Sequence, residues 1–312
     1  VSEPGEFEII IVDDGSNDNS CQLVKEKFSK DPRVKIIALG KNQGAAKARN
    51  IGVQNSQGQY LFFLDNDTRI KSGWFNEINR FFENYPEAGL AQAKILKMDT
   101  DRFDYAGDFI TPLGFLAERA RSAKDAGQFN ETDKIFALKS AGMLARREVF
   151  EELGGFDEDF EIFWEDTDIA WRGWLSGWQV LFAPAVVVWH AYGTEEKPAA
   201  IYTKNQVVYR GCRNMIASQI KNLGARKLFL ILPASIFSWL ILAVLFFLKL
   251  DFRKGIAVFK GLFWNLFHLS LNLKKRKIVQ AQRKISDQDL FLRVGTQKKI
   301  SYYLGKALAY LT

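Results

Sequence analysis

Cysteine is almost missing from this chain of 312 residues: Cys21 and Cys212 are the only two. They stand far apart, form no CxxC pair and have no metal-like spacing, so a disulfide framework is excluded and a reducing compartment fits. The opening Val1-Ser2-Glu3-Pro4 is polar and does not read as a signal peptide. Global disorder is excluded too, because 25% charged and 47% apolar residues make an ordinary globular composition. The net charge of +7 is modest but unevenly placed. Lys274, Lys275, Arg276, Lys277, Arg283 and Lys284 follow an apolar stretch, and acidic residues crowd 157–168. A basic run beside an apolar segment points to anionic lipid rather than nucleic acid. A solvated charged helix is the plainer alternative.

What is present is a strand–helix alternation. Residues 7–13 (FEIIIVD), 34–39 and 60–64 (YLFFL) are apolar runs suited to buried parallel strands, and 21–29 and 44–55 between them read as helices. That order predicts βαβ units and an α/β fold with a mainly parallel sheet flanked by helices. Later strands are expected over 87–95 and 179–190. Residues 99–137 lack periodicity and read as a functional loop region or a small antiparallel excursion. Residues 228–248 carry no charge, enough to cross a ~30 Å hydrocarbon core at about 1.5 Å per residue. A second apolar stretch, 255–273, is interrupted by Lys260, Asn265, His268 and Asn272, and reads as an interfacial helix or the return limb of a hairpin. Lys221, Arg226 and Lys227 before the uncharged run place the preceding domain on the cytoplasmic face of a cell membrane. The expected organisation is a catalytic domain over 1–222, a membrane-associated segment over 223–275 and a basic tail over 276–312.

Four constellations sit at the carboxyl ends of expected strands, the edge where open α/β sheets bind ligands. Asp13 and Asp14, in DDGS, can accept hydrogen bonds from a ribose or a base, or can simply form an Asx turn. NQGAAKARNIG at 42–52 offers Lys47 and Arg49 beside small residues that let a helix pack closely. Asp65-Asn66-Asp67 places alternate carboxylates after a buried strand, a hard-oxygen site for Mg²⁺ or Mn²⁺ bridging a diphosphate. In WEDTD, Trp164 next to Glu165 and Asp166 suits a sugar face held beside a base, although acidic residues also favour a helix's first turn. His190 ends the strand 179–190 and becomes a third metal ligand if it meets the DND turn.

Taken together with SAGMLARREVFEELGGFDE at 140–158, these motifs resemble the family 2 glycosyltransferases of the GT-A fold, over roughly Phe7 to Tyr192. Gly154 to Glu158 resembles the rhamnosyl- and galactofuranosyltransferase subgroup of polysaccharide assembly. The resemblance implies inverting transfer of a sugar from a nucleotide-sugar donor to a hydroxyl of a lipid-linked glycan, with no nucleic-acid partner. It implies Asp166 as general base and Asp65, Asp67 and His190 around the cation. It further implies Asp13, Asp14, Arg49 and Asp65 at the donor, and Trp164 and Glu165 at the acceptor. In the family another strand and helix precede the DDGS strand, so this chain is expected to fold poorly or to lack donor affinity; equal stability with and without an added upstream βα unit would defeat that. The Gln-x-x-Arg-Trp sequence of processive synthases is lacking, which favours a single transfer per encounter. Transfer onto polyprenyl phosphate itself, and a membrane scaffold with a relic transferase domain, remain open as alternatives. A nucleotidyltransferase is disfavoured, since no glycine-rich loop opens the chain.

Overall fold

The computed structural model describes residues 5–191, 203–299, 301–303 and 305; Val1 to Pro4, Tyr192 and the last residues of the expected tail lie outside them. The first part alternates as expected: β1 (Ile9–Asp13), α1 (Ser20–Phe28), β2 (Val34–Ala38), α2 (Ala45–Gln54), β3 (Tyr60–Phe63), β4 (Thr68–Ile70), α3 (Trp74–Asn84) and β5 (Ala88–Lys97). Short antiparallel pieces follow: β6 (Phe103–Tyr105), β7 (Asp108–Ile110), β8 (Leu116–Glu118) and β9 (Asp133–Lys134). Then come β10 (Met143–Arg146), α4 (Arg147–Glu152), α5 (Glu165–Leu175) and β11 (Gln179–His190). The chain ends in helices α6 (Lys204–Asn222), α7 (Ala225–Leu248), α8 (Phe252–Phe267), α9 (Leu269–Ala281) and α10 (Asp287–Val294).

The sheet is mixed, which corrects the mainly parallel expectation. The larger sheet runs β3-β10-β5-β11-β4, with β6 on β5 and β9 on β11. Among the described pairings only β1–β2 and β5–β11 are parallel; β10 is antiparallel to both β3 and β5. Hydrophobic runs mark buried strands but say nothing of direction, and β10 is too short to show a period of two. β5 is buried over nearly its whole length because it has neighbours on both edges. β1 is only half-buried despite its Ile-Ile-Ile-Val run, and among the described residues it pairs with β2 alone. Residues 99–137 form the small antiparallel excursion.

Helix α5 lies close on the sheet, where a Cβ on Gly173 would meet Leu90 Cδ1 at 3.2 Å. Its indoles Trp171 and Trp174 fill the main core with Phe136, Phe182 and Leu90. The expected separate tail folds back instead. Val279, Leu290 and Val294 belong to that same core, and Thr296 N donates to Ile110 O at 2.9 Å. The basic run is divided accordingly. Lys275 pairs with Asp157 and Asp159, Arg276 donates to the Ile220 and Leu223 carbonyls, and Arg283 pairs with Asp287. Lys274 and Lys277 face solvent. Lys221, counted above among the residues flanking a membrane, is buried against Asp157 and Asp168. α7 is the one described helix long and apolar enough to cross a membrane by itself, and α8 and α9 meet at a 67° bend.

Candidate active site

The DND turn follows β3, and His190 ends β11. β4 continues the turn and pairs with the end of β11, with Thr68 opposite His190. That register brings one ligand atom each from Asp65, Asp67 and His190 within 4.8 Å of one another. The imidazole is oriented on both sides: Nδ1 lies 2.9 Å from Asp104 Oδ2 and Nε2 3.3 Å from Asp67 Oδ1. Burial opposes a charged ring, but the Asp104 hydrogen bond and the charges of Asp104, Asp67 and Asp65 outweigh it and raise the His190 pKa. Two carboxylates and an imidazole braced by a further carboxylate make a donor set that fits Mg²⁺ or Mn²⁺. Asp104 was not foreseen; it sits on β6, a strand of three residues in a stretch without periodicity.

Arg49 ties this turn to the start of α5. Its guanidinium lies 3.0 Å from Asp65 and 2.8 Å from Glu165, and Asn50 beside it clamps Phe156 through both N–H and C=O. These contacts give Arg49 and Asn50 of the segment 42–52 their places. Glu165 is 3% exposed, so it stands behind Arg49 as its hydrogen-bond partner and not at an open acceptor face. Burial first, and the Asp166 charge second, push its pKa up to about 8 against the pull of Arg49.

Asp166 accepts from Ser140 N at 3.3 Å and Thr167 N at 2.7 Å. A helix start favours a charged carboxylate, yet the Asp166 pKa is raised. Burial is the main cause; Arg49, the two backbone N–H groups and Lys139 offset it only in part. A half-buried carboxylate with a raised pKa is a better base than one held by the helix dipole alone. Lys139 also acts on Asp104, so one ammonium serves both Asp166 and the residue behind the histidine.

The turn leading into α5 is strained. Glu161, Phe163 and Trp164 all have positive φ, at 59°, 66° and 70°, a conformation side-chain-bearing residues rarely adopt. α6 holds it there: Asn214 Nδ2 lies 3.0, 3.0 and 2.7 Å from the carbonyls of Phe160, Ile162 and Phe163. Arg213 reaches Glu161 and the carbonyls of Asp159 and Phe160. Neither α6 residue was foreseen, because nothing local marks a helix that works as a clamp. Trp164 packs against the apolar cluster formed by α6, α7 and α8.

Asp13 and Asp14 chiefly order their own surroundings. Asp13 Oδ1 accepts from Gly15 N and Ser16 N, the Asx turn weighed above. Asp14 accepts from Gln43 N and Gly44 N at 2.7 and 2.9 Å, joining the end of β1 to the start of α2. Gly44 has φ +91°, and a Cβ there would come 3.0 Å from Glu161 Cα. The DDGS turn, α2 and the strained turn therefore meet at one place.

Residues 2–154 match the family model described as glycosyl transferase family 2. That stretch, about half of the chain, is a family 2 glycosyltransferase segment. Among curated relatives, the chain is 28% identical over 191 residues to a dTDP-rhamnosyl transferase, RfbF, of Shigella flexneri, covering 59% of this chain and 60% of the relative. It is 40% identical over 80 residues to an uncharacterized glycosyltransferase of Haemophilus influenzae, 25% of this chain and 32% of the other. The chain spans about a third to three fifths of the length of these curated relatives. The solved mannosyltransferase PcManGT of Pyrobaculum calidifontis, in complex with GDP-Man and Mn²⁺, aligns with 97% of this chain and 75% of its own at 16% identity and a TM-score of 0.50. GalNAc-T7 with UDP, GalNAc and Mn²⁺ aligns with 68% of this chain and 44% of its own at 20% identity and a TM-score of 0.51. Both likenesses concern the fold, a GT-A-like mixed α/β sheet flanked by helices.

Proposed function

We propose that the chain transfers a sugar from a nucleotide-sugar donor to a hydroxyl of a lipid-linked saccharide, with inversion, at the cytoplasmic surface of a cell membrane. The observation that carries this reading is the meeting of Asp65, Asp67 and His190 within 4.8 Å, joined through Arg49 to the carboxylates that open α5. Asp65, Asp67 and His190 would hold Mg²⁺ or Mn²⁺, which as a Lewis acid would neutralise charge on a leaving diphosphate. Asp166 accepts the proton from the acceptor hydroxyl as that oxygen attacks the anomeric carbon, and burial makes the carboxylate basic enough for the task. Arg49 keeps Asp65 and Glu165 in register and limits repulsion between the two acidic groups. Asp13 and Asp14 border the nucleoside side.

The acceptor assignment rests on position. Trp164 precedes Asp166 by two residues and packs on the cluster of apolar α7 and α8, so the base lies about one helix layer, roughly 10 Å, from the surface suited to lipid. The rhamnosyl transferase among the relatives makes a dTDP-deoxyhexose the first donor to try. The deciding experiment titrates Mn²⁺ and Mg²⁺ against UDP, dTDP and GDP, then screens the matching sugars for hydrolysis and for transfer to oligosaccharyl-diphosphate lipid or polyprenyl phosphate. Metal-dependent nucleotide affinity with transfer to the saccharide lipid is expected. No metal-dependent affinity for any nucleotide would leave a scaffold, and transfer to polyprenyl phosphate alone would reassign the acceptor.

A further inference from the structure

Helices α6, α7 and α8 pack around an apolar cluster that includes polar groups, and the outer face of α7 and α8 is apolar as well. The inner stripe of α7 includes Ser235, which accepts from Gln219 Nε2 of α6 at 2.9 Å. The inner side of α8 carries Asn265, bonded to Arg213 O at 2.9 Å and to Asn272 of α9 at 3.1 Å. The outer face shows Phe229, Phe237 and Val244 of α7 and Phe259, Phe263 and Phe267 of α8, all exposed. A helix pair facing water carries polar residues on such a face.

The direction of packing limits how that face meets a bilayer. α8 runs beside α6 in the same sense: Gln206 and Arg253 line one groove near their starts, and a Cβ on Gly261 would lie 3.1 Å from Arg213 N. α7 runs the opposite way, with Gln219 against Ser235 and Gly211 beside Trp239. α6 in turn is fastened to the catalytic domain, through Arg213 and Glu161, Lys221 and Asp168, and Asn222 and Asp168. Ile231 itself enters the main core, where a Cβ on Gly114 would meet its Cγ2 at 2.8 Å, and α6 lies between the rest of 231–239 and that domain. Drawing this part of α7 through a bilayer would take buried Arg213, Lys221 and Asp168 with it, at about 2.5–3.5 kcal/mol or more for each charge. The remainder, 240–248, reaches about 13 Å at 1.5 Å per residue, under half of a ~30 Å core. Tip-first insertion is opposed by Lys249, Asp251 and Arg253 at the α7–α8 turn. After α8 the chain returns to the same body, where Lys275 meets Asp157 and Val279 enters the main core.

We propose that α7 and α8 are a one-leaflet anchor, lying in the plane of an anionic membrane surface with their outer aromatic and aliphatic face in the acyl region and neither helix crossing. Arg226, Lys249, Arg253, Lys260, Lys274 and Lys277 are exposed along this layer, and Asp251 is the single acidic residue from 225 to 281. Such a rim matches anionic headgroups. This deepens the membrane part of the proposed function and is an alternative to the spanning role expected for 228–248. It does not depend on glycosyl transfer.

The test uses the full chain carrying Cys21→Ser and one added cysteine, Phe237→Cys, Phe263→Cys or Leu250→Cys, with vesicles of phosphatidylethanolamine and phosphatidylglycerol. An environment-sensitive fluorophore on Phe237→Cys and Phe263→Cys is expected to shift to the blue on vesicle addition. Leu250→Cys should react with an impermeant maleimide added outside and not with reagent trapped inside. Labelling of Leu250→Cys from the vesicle interior would establish a span and overturn the proposal. So would an unshifted fluorophore together with a lipid-free dimer in sedimentation, which would assign the face to a second copy. Flotation of the unaltered chain with the same vesicles covers a variant that fails to fold, and failure to float counts against the proposal. None of these outcomes reports on sugar transfer, so the enzymatic reading stands or falls separately.

Discussion

Two groups of carboxylates, two residues apart at their nearest, have opposite fates. Asp168 is fully buried among Arg172 at 2.8 Å, Lys221 at 2.9 Å, Asn222 and Ser218. Burial works against its charge, but Lys221 and Arg172 prevail and lower its pKa. Asp157 shares Lys221 and adds Lys275. Asp166 lies on the other side of the same helical turn with no direct ion pair among the described contacts, and its pKa is raised. Asp65 and Glu165 share one arginine between them, and Asp67 faces a histidine. The first group is saturated with cations from its own chain and is a joint between the catalytic domain and α6. The second is short of them, and that deficit suits a metal ion and a proton brought by substrates. Residue type is the same in both; the supply of positive charge separates structure from chemistry.

Four measurements would break or sharpen the contrast. Asp166→Asn should lower turnover about 10²–10⁴-fold while donor binding and thermal stability stay close to the parent; normal turnover would remove Asp166 as the base. Asp168→Ala should act the other way, destabilising the chain by about 3–5 kcal/mol in denaturant unfolding because Lys221 and Arg172 lose a buried partner. The parent should lose this same contribution as pH falls below the usual carboxylate range, since the folded pKa is lowered. Asp104→Asn should weaken Mn²⁺ binding by about 10–100-fold through misorientation of His190, and an unchanged metal titration would make His190 structural. Glu165→Gln should have the mildest effect. With its pKa raised to about 8 by burial and the Asp166 charge, Glu165 is already mostly uncharged where Asp166 titrates, so the neutral amide should leave the acid limb of the kcat/KM profile in place; a marked shift of that limb would contradict the coupling.

Much of this contrast was legible locally and its partners were not. The ends of β11 are read from the sequence because an unbroken apolar run stops at His190, and the DND turn follows YLFFL for the same reason. Strand direction was not legible, since β3, β5 and β10 have similar composition whichever way they run. Asp104 escaped notice because β6 is held by β5, not by a pattern of its own. The basic run 274–277 read as one patch because the partners of Lys275 and Arg276 lie far back in the chain, at Asp157 and at the end of α6; only Lys274 and Lys277 stay outward. WEDTD was legible as a functional motif, but the division of labour within it depends on what each face of the helix meets.

That division makes the start of α5 intolerant of any change in length. Successive positions on a helix point about 100° apart, and Glu165, Asp166 and Asp168 look respectively toward Arg49, Ser140 and Lys221. One residue inserted ahead of them would turn the whole set by about 100°, carrying Asp166 away from Ser140 and bringing Glu165 into its place. This single turn must keep its phase.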